Sequence, residues 1–232
     1  AWGVLRGEGY HYQFEGNWQL VNPSQERMVG RVVTAQFMPV RPDMNEMINR
    51  VGAEEGRVSR GQNSWVIDTL KPGDVLVVDM FGKIRDGTFA GDNLATAIYT
   101  KSKNGLIVNG SVRDVSGMQE IEGFRAFVKG VDPSAIKDVM MVGINVPIRI
   151  GETTILPGDV VVSDPEGLTF IPPHLAEKVA TTSENVQLRD KWGHQMLREG
   201  KYTPGQIDTK WSDAMTKEFE AFAAQERAKR QR

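Results

Sequence analysis

Apolar positions along the chain fall into short, dense clusters separated by glycine, proline and charged residues. Met28 to Val40 carries Val29, Val32, Val33, Ala35 and Phe37, which reads as a strand ended by Pro39 and Pro42. Val75 to Asp79 is almost wholly β-branched or aliphatic, the pattern of a strand covered on both faces. Lys83 to Ala90 is small and charged and reads as a loop. A helix then starts near Asp92 or Asn93, both good capping residues, with Leu94, Ala97 and Ile98 on one face and Asn104-Gly105 as its stop. Leu106 to Val108 is a second strand, followed by a turn at Asn109-Gly110 into Val112-Arg113-Asp114. Residues 73 to 114 thus form a strand–loop–helix–strand unit, the arrangement in which α/β proteins place their chemistry at strand ends.

The flanks are less regular. Residues 1 to 27 are glycine-rich and aromatic (Trp2, Tyr10, Tyr12, Phe14, Trp18) and read as an irregular segment. Asn45 to Gln62 has a weak helical pattern in Met44, Met47, Ile48 and Val51, and Trp65 to Leu70 reads as one or two helical turns. Phe124 to Val128, Val139 to Ile150 and Glu152 to Ile155 read as extended pieces. Pro157-Gly158-Asp159-Val160 echoes Pro72-Gly73-Asp74-Val75 at an offset of 85 residues (157 minus 72). A hairpin into Leu168 to Ile171 follows, then a helix from about His174 towards Gly200 and another around Ser212 to Arg230, with a basic end at Arg227 to Arg232.

Composition narrows the classes. The 232 residues are 40% hydrophobic and 25% charged, ordinary for a globular chain, and the net charge of −2 makes no electrostatic case for nucleic acid or an anionic membrane. No cysteine is present, which removes disulfides, thiolate metal sites and a cysteine nucleophile and fits a reducing compartment; a cytoplasmic location is expected. No apolar run reaches the roughly 18 residues of a bilayer span. His11, His174 and His194 are far apart, so a multi-histidine zinc site is not expected, and no Walker, G-x-G-x-x-G or G-x-S-x-G motif occurs.

What remains is oxygen chemistry around the central unit. Asp92 falls at a helix N-terminus, where free amides favour an anion, and Arg113 and Asp114 fall just past the neighbouring strand. A small carboxylated substrate with a divalent metal fits such a set. The same spacing also fits a plain N-cap and an ordinary turn ion pair.

Three segments together, Gly73 to Asp79, Gly91-Asp92-Asn93-Leu94-Ala95 and Gly105 to Asp114, with Pro157 to Pro172 beside them, resemble the RraA-like family. That family includes class II 4-hydroxy-4-methyl-2-oxoglutarate aldolases, the regulator of ribonuclease activity and proteins long labelled dimethylmenaquinone methyltransferase. The resemblance implies an α/β fold: an RraA-like swivelling β/β/α domain over residues 1–184, its N-terminal helix falling upstream of Ala1, with a C-terminal helical extension over 185–232. It implies a homotrimer or hexamer and a divalent-metal-dependent lyase, an aldolase or decarboxylase acting on a small 2-oxo acid. By resemblance Asp114 is the metal residue, for Mg²⁺ or Mn²⁺. Arg113 contacts the oxo acid and its enolate, Asp92 positions a water for proton transfer, and the amides of Asp92, Asn93 and Leu94 hold the substrate carboxylate, with Gly91 beside them in the substrate-binding set. One departure stands out: the aldolases usually carry an acidic residue where this chain has Gly117, leaving Glu120 or Glu122 as substitutes. The alternative is a non-catalytic, RraA-like regulatory or binding protein.

Overall fold

The computed structural model describes residues 1–22, 27–57 and 61–230. Part of the 45–62 stretch and the last two residues of the basic end therefore lie outside the described residues. In chain order the elements are α1 (Trp2–Gly7), β1 (Phe14–Glu15), β2 (Gln19–Leu20), β3 (Val29–Pro39), α2 (Pro42–Glu54), α3 (Gln62–Thr69), β4 (Asp74–Ala90), α4 (Asp92–Ser102), β5 (Leu106–Val112), α5 (Val115–Gln119), β6 (Ala126–Val131), β7 (Val139–Ile144), β8 (Ile148–Ile150), β9 (Thr153–Ile155), β10 (Val160–Asp164) and β11 (Gly167–Ile171). A single 3₁₀ turn over Pro173–Leu175 leads into α6 (Ala176–Arg198), α7 (Pro204–Ile207) and α8 (Asp213–Arg230). The chain divides into two compact units, one essentially Val4–Leu175 and the other Ala176–Arg232. The helix α6 runs unbroken through position 184/185, where the sequence placed a boundary.

The first unit is built on a mixed sheet in the order β1-β11-β10-β3-β4-β5-β6-β2, with β7 on the C-terminal half of β3. The central strands β3, β4, β5 and β6 are parallel, and β8 and β9 make a separate hairpin. Both faces are covered, which explains the unbroken aliphatic run in β4. Leu76, Val78, Leu106 and Val108 pack with Trp65, Val66 and Ile98 of α3 and α4. Val75, Val77 and Ile107 point the other way, into Ile148, Ile150 and Ile155 of the hairpin.

Two sequence expectations are corrected here. Residues 83–90 are strand rather than loop, because β4 continues to Ala90 after a bulged excursion through Phe81 and Gly82. Asn109-Gly110 is no turn: both residues lie inside β5. The Asn109 amide donates to Asp79 Oδ1 at 2.8 Å, so a polar residue is satisfied inside the sheet. Gly110 is required by close approach, since a Cβ there would lie 2.7 Å from the Cβ of Met80.

The two Pro-Gly-Asp segments form the same turn. Gly73 and Gly158 take φ of +87° and +90°, conformations open to glycine. Asp74 Oδ2 accepts the Lys71 N–H at 2.8 Å, and Asp159 Oδ2 accepts the Leu156 N–H at 2.9 Å. Both turns clasp the start of β3: Arg31 N–H donates to the Gly73 carbonyl and Val32 N–H to that of Asp159.

The second unit is an α-helical hairpin of α6 and α8 with α7 between them. Its core is aromatic: Trp192 lies 4.7 Å from Trp211 and 5.8 Å from Tyr202 by ring centroids, with Met196 and Met215 beside them. No helix among the described residues is long and apolar enough to cross a membrane. Trp192 is 2% exposed. Trp192→Ala is therefore expected to cost the helical hairpin about 3–5 kcal/mol, read by urea unfolding followed by circular dichroism and by faster amide exchange in residues 176–230.

Candidate functional site at the α4 N-terminus

The register of the central strands creates this site. Ala90 of β4 pairs with Val112 of β5, so the residues that follow, Gly91 and Arg113, leave the sheet side by side. The Arg113 N–H donates to the Ala90 carbonyl at 3.1 Å and ties the two exits together. From Gly91 the chain turns directly into α4, and from Arg113 into Asp114 and α5. Asp114 caps α5 in the left-handed conformation, at φ 54° and ψ 42°, a region that aspartate tolerates better than most residues.

All six sequence-predicted site residues, Gly91, Asp92, Asn93, Leu94, Arg113 and Asp114, line one cavity of about 120 Å³. That is the space of roughly four liquid waters, enough for a small organic acid and too little for a nucleotide. Six further lining residues had not been anticipated as part of a site: Asn63, Thr88, Phe89, Ala90, Ala135 and Ile136. Asn63 is buried and donates to the Phe89 carbonyl at 2.8 Å, fixing α3 against the end of β4. Its only sequence signal is a place in the short polar run Gln62-Asn63-Ser64 ahead of an apolar stretch, which marks a helix start equally well.

The helix cap is Gly91, and Asp92 is the first helical residue. Asp92 Oδ1 accepts the N–H of Asn93 at 2.7 Å. One of the three amides expected to hold a substrate carboxylate is thus already met by Asp92 itself. An incoming carboxylate must turn this side chain aside, since two carboxylates at one set of amides repel. Arg113 Nε lies 3.3 Å from Asp114 Oδ2, and both side chains are about half exposed, so the pair is open to solvent.

Two glycines make room for these carboxylates. A Cβ on Gly91 would collide with Asp114 Oδ2. A Cβ on Gly117 would lie 2.6 Å from Asp92 Oδ2 and 2.8 Å from Asp92 Cβ. A side chain at position 117 would therefore collide with Asp92 in its observed place. Neither Glu120 nor Glu122 lines the cavity. Among the described residues no group of three or more His, Asp or Glu side chains could hold a metal.

The mixed sheet and the paired loops at its strand ends define an α/β protein with a small cavity at the α4 N-terminus. The chain belongs to the RraA-like family, whose pattern, described as Aldolase/RraA, matches residues 7–170. A Halalkalibacterium halodurans protein, provisionally named a 4-hydroxy-4-methyl-2-oxoglutarate aldolase, is 33% identical over 152 residues, 64% of this chain and 71% of that one. The 4-hydroxy-4-methyl-2-oxoglutarate aldolase of Thermus thermophilus is 29% identical over 147 residues, 63% of this chain and 76% of that one. In fold, the chain matches Streptomyces coelicolor RraAS2, described as an unusual member of the RNase ES inhibitor RraA family. The TM-score is 0.70 at 24% identity, over 84% of this chain and 90% of that one.

Gly91→Ala is expected to turn the Asp114 carboxylate away from Arg113, visible in a crystal structure of the variant. Because the lost pair is solvent-exposed, the stability change should stay at or below about 1 kcal/mol.

Proposed function

We propose that this protein is a divalent-metal-dependent lyase that cleaves a small 2-oxo acid by retro-aldol or decarboxylation chemistry. The observation that carries the reading is the meeting of Asp92, Arg113 and Asp114 around one small cavity at a helix N-terminus. The aldolase names of two relatives support it.

The donor set fits an ion that keeps most of its waters. Asp114 is a hard oxygen ligand, half exposed and facing the cavity, and Mg²⁺ is commonly held by one or two carboxylates with water and substrate filling the remaining positions. A closed, all-protein metal cage does not fit. Asp114 would hold the ion, which when bound supplies a Lewis acid at the 2-oxo group.

The chain's own residues do the remaining work. The first-turn amides of α4 lack helical partners and take the substrate carboxylate. Arg113 places a fixed positive charge where the oxo oxygen gains negative charge as the carbon–carbon bond breaks and its electron pair flows into the enolate. Asp92, through a water, takes the proton of the cleaved substrate's hydroxyl and returns one to the enolate carbon. In a decarboxylation the departing group is carbon dioxide, its bonding pair passes into the enolate, and the water held by Asp92 supplies the proton to the enolate carbon, leaving hydroxide to be neutralised by solvent.

A specific feature favours a second reading, a non-catalytic binding protein: position 117 is glycine, and among the described residues no third acidic side chain joins Asp92 and Asp114. Pyruvate release separates the two readings. With oxaloacetate and 4-hydroxy-4-methyl-2-oxoglutarate as substrates and lactate dehydrogenase as the coupled readout, release is expected to require Mg²⁺ or Mn²⁺. Asp114→Ala should lower it by about 10–100-fold and Arg113→Lys by about 100–1,000-fold, with melting temperature unchanged. Folded protein that releases no pyruvate from either substrate, with either metal, would favour the binding protein.

A further inference from the structure

The twin Pro-Gly-Asp turns differ in one respect. In the first, Asp74 Oδ2 takes the turn's own N–H, and Oδ1 is met by Arg31, through Nε at 2.9 Å and NH2 at 2.7 Å. In the second, Asp159 Oδ2 takes the equivalent N–H, of Leu156, and no cation follows. Its other oxygen receives no hydrogen bond among the described residues. Yet Asp159 is only 3% exposed. Two turns of one design thus hold one neutralised carboxylate and one bare one.

The bare carboxylate lines a cavity of about 420 Å³, within the size range of small-molecule sites. Its walls include Tyr10, Tyr12, His174, Pro172 and Leu156, and Glu152 adds a second carboxylate. Tyr10 and His174 stand 6.2 Å apart, ring centroid to ring centroid, at a tilt of 55°. Among the described residues no Lys or Arg lines the cavity, and it shares no residue with the cavity at the α4 N-terminus. Tyrosine faces carry negative potential and attract a cation, while a buried carboxylate gives that cation a charge-assisted hydrogen bond.

We propose that this cavity binds a small organic cation, an amidinium or ammonium carried on a flat apolar body. The charged head meets Asp159 where Arg31 meets Asp74, and the body lies between the Tyr10 and Tyr12 side. Burial pushes the Asp159 carboxyl up from its ordinary range, with the Leu156 N–H opposing, as an unneutralised acid should behave. A carboxyl whose pKa rises on folding lowers stability as pH climbs past its unfolded value. Asp159→Asn keeps the acceptor for Leu156 and removes that charge, so it should melt at or above the parent temperature at pH 7.

The test is calorimetric titration of the full chain with benzamidine and with benzamide, its neutral counterpart. Benzamidine is expected to bind once per chain, at about 1 mM or below, and benzamide at least about tenfold more weakly. Asp159→Asn should weaken benzamidine about tenfold, and Tyr10→Leu, which leaves the turn untouched, should weaken it several-fold. No benzamidine binding, equal binding of benzamide, or undiminished binding by folded Asp159→Asn would overturn the proposal. So would a fall in particle mass by light scattering when benzamidine is added, which would assign the cation to a Lys or Arg of a second copy.

Discussion

The parallel pairing of β4 with β5 is the interaction on which the rest depends. It is buried on both faces, so neither strand can slip by one residue without exchanging one apolar core for the other. Beyond this core the pairing shifts after Asp79, after Lys83 and after Thr88, as extra residues of β4 bulge out, and it ends with Ala90 opposite Val112. Everything chemical at the α4 N-terminus follows: Gly91 and Arg113 emerge together, one chain opens a helix, and the other caps one with Asp114. The excursion does not loosen the site, because its far end rejoins the ladder before the functional residues begin. The family match fits this picture, since it spans 7–170 and so includes both strands and both exits.

Much of the fold was legible because burial leaves a periodic mark. The doubly covered β4, the α4 face, the β10–β11 hairpin and the two long C-terminal helices all stood out in the apolar pattern. The twin turns stood out because glycine at positive φ between proline and aspartate is a local requirement. What escaped was set by contacts distant in sequence. Residues 83–90 and Asn109-Gly110 carry loop-like composition, yet 83–90 pairs with β5 through Lys83, Thr88 and Ala90, and inside β5 Asp79 satisfies Asn109 while Met80 leaves no room for a side chain at 110. No local signal encodes either fact. Asn63 is the same case at the site: its place is fixed by a carbonyl 26 residues away.

Gly117 shows how one small residue changes the chemistry available. From sequence it reads as a missing ligand. In the fold it is the space that Asp92 occupies, so an acidic side chain at 117 and Asp92 in its observed position exclude one another. The chain holds one carboxylate beside the helix amides and one beside Arg113, rather than three around an ion. Under the proposed lyase reading, an ion at such a site would be held largely through water and substrate, so its affinity would depend on substrate being present.

The comparison between the two turns extends the same logic. A shared backbone device fixes where a carboxylate goes, and a single neighbouring side chain decides what that carboxylate does. At the first turn Arg31 closes the charge within the protein, and the turn is purely architectural. At the second the same geometry leaves an acid without its counterion, walled by aromatic rings and open on one side. A buried charge left unpaired works against folding unless it is neutralised by a proton or a partner. At Asp159 the turn's own N–H supplies one hydrogen bond, and the proposed cation would supply the other.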